Sequence, residues 1–275
     1  MSATSASGPQ LVRITIYPIK SLDGILVDQA TLLPRGPLEH DRRYALRDSA
    51  GRLLNGKRTE AMHRLRLDME LASGVVALTA GDERGGGEPR RFHIDTDRAE
   101  LAQWLQDYFA LEQPLEIIEN AATGFPDDEE APGPTVVSTA TLETAASWFP
   151  GLTLEEMRRR FRANLEIGGV EPFWEDRLYG EAGQAVRFQL GELLLDGVNP
   201  CQRCVVPSRD SVTGAVTSQF AQRFAERRRQ CLPPWAAISR FDHFYRLAVN
   251  TRPVDSTGGC IRLGDPVRIL GTLPK

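Results

Sequence analysis

Two cysteines, Cys201 and Cys204, stand three positions apart in the stretch Val198-Asn199-Pro200-Cys201-Gln202-Arg203-Cys204, with Arg203 between them. The thiolate, not the thiol, attacks electrophiles and binds metals, and a neighbouring cation favours it. Four chemistries are open to such a pair. The two residues can simply pack as small hydrophobes. They can form half of a zinc site, act through one reactive or metal-binding thiolate, or cycle as a redox disulfide. Cys231 and Cys260 are isolated and no His-x-x-x-His exists, which weakens zinc, since a structural site wants four ligands. Pro207 and the turn formers from Ser208 to Gly214 argue against a helix starting here, and with it the dipole that a redox pair exploits. The single thiolate is the favoured reading.

Such a thiol needs a rigid mount. Val186, Phe188 and Leu190 alternate, as do Leu193 and Leu195, which predicts strands running up to the pair. Cys204 is then expected at a strand's exit, on a loop, beside a fixed positive charge.

Asn199-Pro200-Cys201-Gln202-Arg203-Cys204 with the downstream Asp210-x-x-Thr213-Gly214 resembles the signature of the MOSC domain, the C-terminal domain of molybdenum cofactor sulfurases. More closely, the chain is similar to the group containing the mitochondrial amidoxime reducing component and its bacterial relatives. Further pieces match in the same order: Tyr17-Pro18-Ile19-Lys20-Ser21, Asp41-Arg42-Arg43-Tyr44, Arg162-Ala163-Asn164, Phe173-Trp174-Glu175-Asp176 and Leu263-Gly264-Asp265-Pro266-Val267. Each is weak alone; five in order around a cysteine pair are specific. The likeness runs from about residue 11 to 271.

The resemblance implies an N-terminal β-barrel-like domain over residues 10–125 and a C-terminal MOSC β-barrel domain over 134–272, mostly β with helices (α+β). It implies a molybdenum cofactor (molybdopterin) with Cys204 as the metal ligand and catalytic residue. Lys20, Ser21, Lys57 or Arg58, Ser138, Thr139, Arg162, Asn164 and Arg203 would hold the anionic pterin. The implied activity is that of an oxidoreductase reducing small N-hydroxylated substrates. No cluster-spaced cysteines follow Cys204, so electrons are expected from a separate donor, a flavoprotein or an iron–sulfur or haem carrier. Two alternatives stand beside this. One is a sulfur carrier relaying a cysteine persulfide, loaded by a pyridoxal-phosphate desulfurase. The other is a non-enzymatic carrier of the cofactor.

Composition narrows the field. The chain has 275 residues, 41% hydrophobic and 25% charged, with 33 basic against 37 acidic side chains and a net charge of −4. A nucleic-acid binder would show a basic excess, so that class is disfavoured. Anion binding must come from local clusters. Four unevenly spaced cysteines do not make a disulfide framework, which suggests a reducing cytoplasm. Met1 to Gly8 reads as a loose polar tail, and no apolar run approaches the length of a membrane helix.

Along the chain, Val12, Ile14 and Ile16 alternate as a half-buried strand ending at Tyr17-Pro18, and Lys20 and Ser21 follow at its exit. Ile25 to Leu33 reads as a strand. Hairpins are expected around Asp48-Ser49-Ala50-Gly51 and Ala72-Ser73-Gly74, with Gly85-Gly86-Gly87 a mobile connection before a strand at Arg91 to Ile94. Asp95-Thr96 is expected to cap a helix carrying Leu101, Trp104, Leu105, Tyr108 and Phe109. The acidic, Pro- and Gly-rich run from Gly124 to Pro134 reads as a linker or long exposed loop, its acidic residues solvated, near a domain boundary. Thr139 is spaced to cap a second helix. The dense basic cluster Arg158-Arg159-Arg160-Phe161-Arg162 is tipped towards function by Arg162 and Asn164, whose fork and amide suit phosphate and a heterocycle edge. Trp174 is expected to wall the pocket or core. Ser218 is expected to start a helix ending in Arg227-Arg228-Arg229, cations that complement its dipole. His243 reads as structural, and strands at Ile261 to Leu263 and Val267 to Ile269 are expected to close the fold.

Overall fold

The structure is a computed structural model that describes residues 8–81 and 87–274. Met1 to Ser7 of the expected tail, and Gly85 and Gly86 of the expected connection, lie outside the described residues. The first half supplies β1 (Gln10–Ile16), β2 (Ile25–Val27), β3 (Gln29–Leu32), β4 (Tyr44–Asp48), β5 (Leu65–Glu70), β6 (Val75–Ala80), β7 (Arg90–His93), α1 (Arg98–Tyr108) and β8 (Leu115–Glu119). The second half supplies β9 (Val136–Ser138), α2 (Thr139–Ser147), α3 (Leu154–Phe161), β10 (Leu165–Gly168), β11 (Gln184–Leu190), β12 (Leu193–Gln202), α4 (Phe220–Gln230), β13 (Arg246–Pro253), β14 (Gly259–Arg262) and β15 (Val267–Pro274). The fold is thus mostly β with a few helices.

Eight strands hydrogen-bond in the order β15-β11-β12-β13-β9-β10-β1-β2. The start of β1 then returns to the turn before β15. Leu11 N donates to Asp265 O (2.9 Å), Gly264 N to Leu11 O (2.8 Å) and Val267 N to Pro9 O (2.9 Å). These bonds close the sheet into a barrel around Leu11, Ile14, Ile16, Leu165, Phe188, Leu195 and Val249. The segment read as one strand from Ile25 to Leu33 is split: β2 pairs with β1, and β3 pairs with β14. The barrel therefore takes strands from both sides of the acidic run. In β1 the register slips between Leu11 and Arg13, so Leu11 turns inward and Val12 outward at 39% exposed. A bulge inverts the side-chain alternation, which is why Val12 departs from the expected pattern.

The rest of the first half packs around a second core. β5, β6 and β7 form a meander, β4 pairs with β8, and α1 lays Leu101 and Leu105 between them. The helix starts at Arg98, later than Asp95-Thr96 suggested. Asp95 instead pairs with Arg98 at 3.0 Å, and the Asp97 carboxylate accepts from His93 N at 2.8 Å. For α2 the cap is Ser138, not Thr139. Ser138 Oγ accepts from Thr141 N at 3.2 Å, while the Thr139 hydroxyl donates to Glu166 at 2.7 Å. α4 starts at Phe220, after Gln219 in the left-handed region (φ 54°), rather than at Ser218.

Arg228 of α4 is not a solvated dipole partner. It is 1% exposed, donates to Asp176 and lies 4.2 Å from the Phe173 ring centroid. Glu175 is buried next to Asp176 and accepts from Thr141 Oγ1 at 3.0 Å. Burial, helped by the Asp176 charge, pushes Glu175 up from the usual 4.5 to about 7. Between those values the folded chain holds a proton that the unfolded chain has lost. Stability therefore falls as pH rises from about 4.5 to about 7 and levels off above. Glu175→Gln is expected to shrink the difference in melting temperature between pH 5 and pH 8. An unchanged difference in thermal melts would contradict this reading of the buried pair.

Candidate functional site

The cysteine pair stands where the barrel strand β12 ends. Cys201 is the strand's penultimate residue, and Cys204 lies two positions beyond the last. Pro200 sits inside the strand because the register slips on either side of it, between Gly197 and Asn199 and between Pro200 and Gln202. Such irregularities absorb the N–H that proline lacks. Both cysteines are half-buried free thiols. Val206 N–H points at Cys204 Sγ at 3.5 Å.

The loop after Cys204 is held by α3 from beneath. Arg160, 3% exposed, donates to Thr217 Oγ1 (2.9 Å) and Pro207 O (3.3 Å). Glu156 accepts from Arg160 Nε (2.5 Å) and from Ser211 N (2.9 Å). Asp210 Oδ1 accepts from Val212 N and Thr213 N, which closes the turn at Asp210-x-x-Thr213-Gly214. Arg160 is therefore a positioning residue, and the basic cluster of α3 divides its labour. Arg158 is spent on Glu166 (2.6 Å) and Arg160 on the loop; Arg159, Arg160 and Arg162 all line the cleft, and of these Arg162 alone has no carboxylate partner among the described residues.

A cleft of about 990 Å³ opens beside the pair and is lined by both cysteines. Of the residues expected there, Lys20, Ser21, Lys57, Arg162, Asn164, Arg203 and Cys204 line it. Arg58, Ser138 and Thr139 do not; Ser138 is fully buried in the helix cap and Thr139 faces an outer groove. Trp174 packs in the barrel core and borders that same groove. Asn164 lines the cleft with its amide already engaged. Its Nδ2 donates to Thr15 O (3.1 Å) and Asp41 Oδ1 (3.0 Å), and its Oδ1 accepts from Thr135 N (3.3 Å). It ties β1, β9 and β10 together and has no free edge for a heterocycle. Reading the sequence missed Arg42, His63, Arg66 and Arg209, which also line the cleft. Arg42 and Arg209 sat within motifs already singled out, while nothing local marked His63 or Arg66.

The cleft is basic although the chain is acidic overall. Eleven lysines and arginines line it against seven carboxylates, four of them the consecutive residues 127–130. That acidic run is an exposed loop, as composition suggested, with Asp127, Glu129 and Glu130 open to solvent, but Ala131 is buried and the run also forms part of the cleft wall. Lys20 Nζ donates to Asp127 Oδ1 (2.7 Å), Phe125 O (2.8 Å) and Pro126 O (3.4 Å). Desolvation by the surrounding chain works to raise the Asp127 carboxyl, although its side chain stays open to solvent, but Lys20 and Arg42 outweigh it and hold it at about 2. Burial lowers Lys20.

Arg162 is the contrasting cation. It ends α3 in the left-handed conformation (φ 52°), which aims its guanidinium at the Tyr17 ring, 4.2 Å from the centroid. No carboxylate pairs with it among the described residues. Burial depresses its pKa, as expected of a guanidinium short of counter-charge. Arg203 Nη2, Arg209 Nε and Arg246 Nε are buried with no hydrogen-bond partner. Buried donors are nearly always satisfied, so these mark a place for an anion. Among the described residues no cluster of three or more His, Cys, Asp or Glu side chains gathers to hold a metal by itself, and Cys231 is exposed elsewhere. No described helix is long and apolar enough to cross a membrane.

Comparison with known proteins agrees with this arrangement. Residues 8–114 match the MOSC N-terminal beta barrel domain, and residues 135–268 match the MOSC domain. A molybdenum cofactor sulfurase of Drosophila mojavensis is 24% identical over 219 residues, covering 71% of this chain and 27% of the sulfurase. The chain thus spans well under half the length of that relative. With both domain matches in order along the chain, and the cysteine loop set on a closed barrel, this chain belongs to the MOSC-domain proteins, with an N-terminal MOSC β-barrel domain ahead of the MOSC domain.

Proposed function

We propose that the cleft binds the molybdenum cofactor, with the Cys204 thiolate as protein ligand to the metal, and that the protein reduces small N-hydroxylated compounds. The observation that carries the reading is an accessible thiol on the wall of a cleft that also holds buried guanidinium N–H groups without partners, on Arg203 and Arg209, and Arg162 without a carboxylate among the described residues. The residues fit the group: a soft thiolate suits molybdenum held by a dithiolene, and planar arginine forks suit phosphate and pterin oxygens. Arg162, Arg203 and Arg209 are the donors with capacity to spare, and Lys57 is exposed on the same wall. When bound, the cofactor supplies a redox-active molybdenum that exchanges two electrons with the substrate. The chain's own part is to anchor the anion, shield the metal from water and present the thiolate. The overall change is N–OH to N–H with release of water, consuming two electrons and two protons, the electrons coming from a separate donor protein.

The test is direct. Protein from a host that makes the cofactor is given a chemical reductant and hydroxylamine or an amidoxime. Steady turnover is expected; metal-loaded protein that never turns over would instead be a carrier. Similarity to the sulfurase favours one second reading, a persulfide relay. It predicts a gain of about 32 mass units, one sulfur atom, on Cys201 or Cys204 after incubation with a cysteine desulfurase.

Arg162 offers a check that separates binding from folding. Arg162→Gly removes the free guanidinium yet suits the left-handed backbone better than arginine does. Its melting temperature should be equal or higher, while anion binding in the cleft weakens by about 1.5–3 kcal/mol, the worth of a charged hydrogen bond. Phosphate binding unchanged by the substitution would remove Arg162 from the site.

A further inference from the structure

We propose that the segment 124–134 is an anion lock on the cleft: Asp127 occupies Lys20 as a stand-in for the phosphate group of a ligand, and that phosphate displaces it and loosens the segment. An ammonium has three donors, and all three of Lys20's are spent on this segment. The lysine therefore meets no ligand until the segment gives way. The two partners differ in which can leave: the Lys20 side chain is 12% exposed and fixed at the exit of β1, whereas that of Asp127 is 68% exposed. The segment is also moored beyond this contact. Asn250 Nδ2 donates to Asp128 Oδ2 (3.0 Å) and Gly133 N to Thr251 O (2.8 Å), both on β13. Phe125 N also donates to Arg42 O (2.9 Å), so losing Lys20 would release the part around residues 126–127 while both ends stay attached. A phosphate carries more charge than a carboxylate and offers more acceptor oxygens, and Ser21, Arg42 and Lys57 line the same wall to share it.

The inference goes beyond cofactor chemistry, since it needs only a phosphate group and not molybdenum. Metal-free protein is titrated with inorganic phosphate and, separately, with phenyl phosphate, while hydrogen exchange is followed over residues 124–134. Saturating phosphate is expected to raise exchange there in the wild type. In Asp127→Asn, an isosteric change, the segment should exchange faster before any addition. Phosphate should bind this variant about tenfold tighter, with no further rise in exchange. Tighter binding of phenyl phosphate than of phosphate would assign the group to a larger ligand; equal binding would assign it to the free ion. Equal phosphate affinity in wild type and variant, no binding to either, or a segment whose exchange is unmoved at saturation would overturn the lock. A protein that shows the lock but never acquires molybdenum would refute the cofactor reading alone.

Discussion

Cys204→Ser is expected to leave the protein folded but nearly free of molybdenum when it is made in a host that supplies the cofactor. The side chain is half-buried, its partner within the chain is a backbone N–H at 3.5 Å, and a hydroxyl replaces the thiol with little change of volume. The melting temperature should therefore barely move. Metal retention should fall far more, because a hydroxyl at neutral pH is no substitute for a thiolate. Loss of even a residue supporting a metal ligand costs roughly 10- to 100-fold in affinity, and loss of the ligand itself should cost at least that. Cys201→Ser is the informative companion. Cys201 lies within β12 and lines the same cleft, so similar exposure without ligation predicts that its substitution keeps most of the metal. Full metal content in Cys204→Ser would place the ligand elsewhere.

Gly197→Ala is expected to be the most destabilising single methyl on the strand that carries the cysteines. A Cβ at this position would stand 1.8 Å from Leu178 O and 2.8 Å from Leu178 C. Both atoms are backbone, so no side chain can rotate away. Either β12 or the short 3-10 turn Trp174–Leu178 must shift, and that turn carries Glu175 and Asp176. Forcing atoms into a packed interior costs on the order of 3 kcal/mol. For a chain of this size that lowers the melting temperature by roughly 10 °C. Thermal melts read it directly, and a variant melting within a degree of the wild type would mean that the close approach is not present in solution.

How much of this was legible beforehand depends on the range of the interactions. Alternating apolar residues at β11 and β12, followed by Pro207 and turn formers, placed Cys204 on a loop at a strand exit, because strand period and turn chemistry are local properties. Three other features are set at a distance. The Asn164 amide looked available until Thr15 and Asp41, 149 and 123 positions away, were seen to take up its donors. The acidic run gave no sign that it also walls the cleft, because its cation, Lys20, lies 107 positions upstream of Asp127. Ser138 and Thr139 carried a sound helix-cap pattern, but such a pattern is the same whichever side of the barrel the helix start faces. The bulge that turns Val12 outward also escapes a period-two reading, since it is created by pairing with β10. Family resemblance recovered several cleft residues, Lys20 among them, but could not show that this cation's donors are taken up by residues 125–127.

The central claim is that the thiolate of Cys204 and the cleft arginines with donors to spare together hold one molybdenum cofactor. Its most direct test is the molybdenum content, by elemental analysis, of wild-type protein purified from a cofactor-producing host. About one equivalent of molybdenum per chain is the predicted result. Protein that emerges metal-free from a host whose other molybdenum enzymes are fully loaded would contradict it.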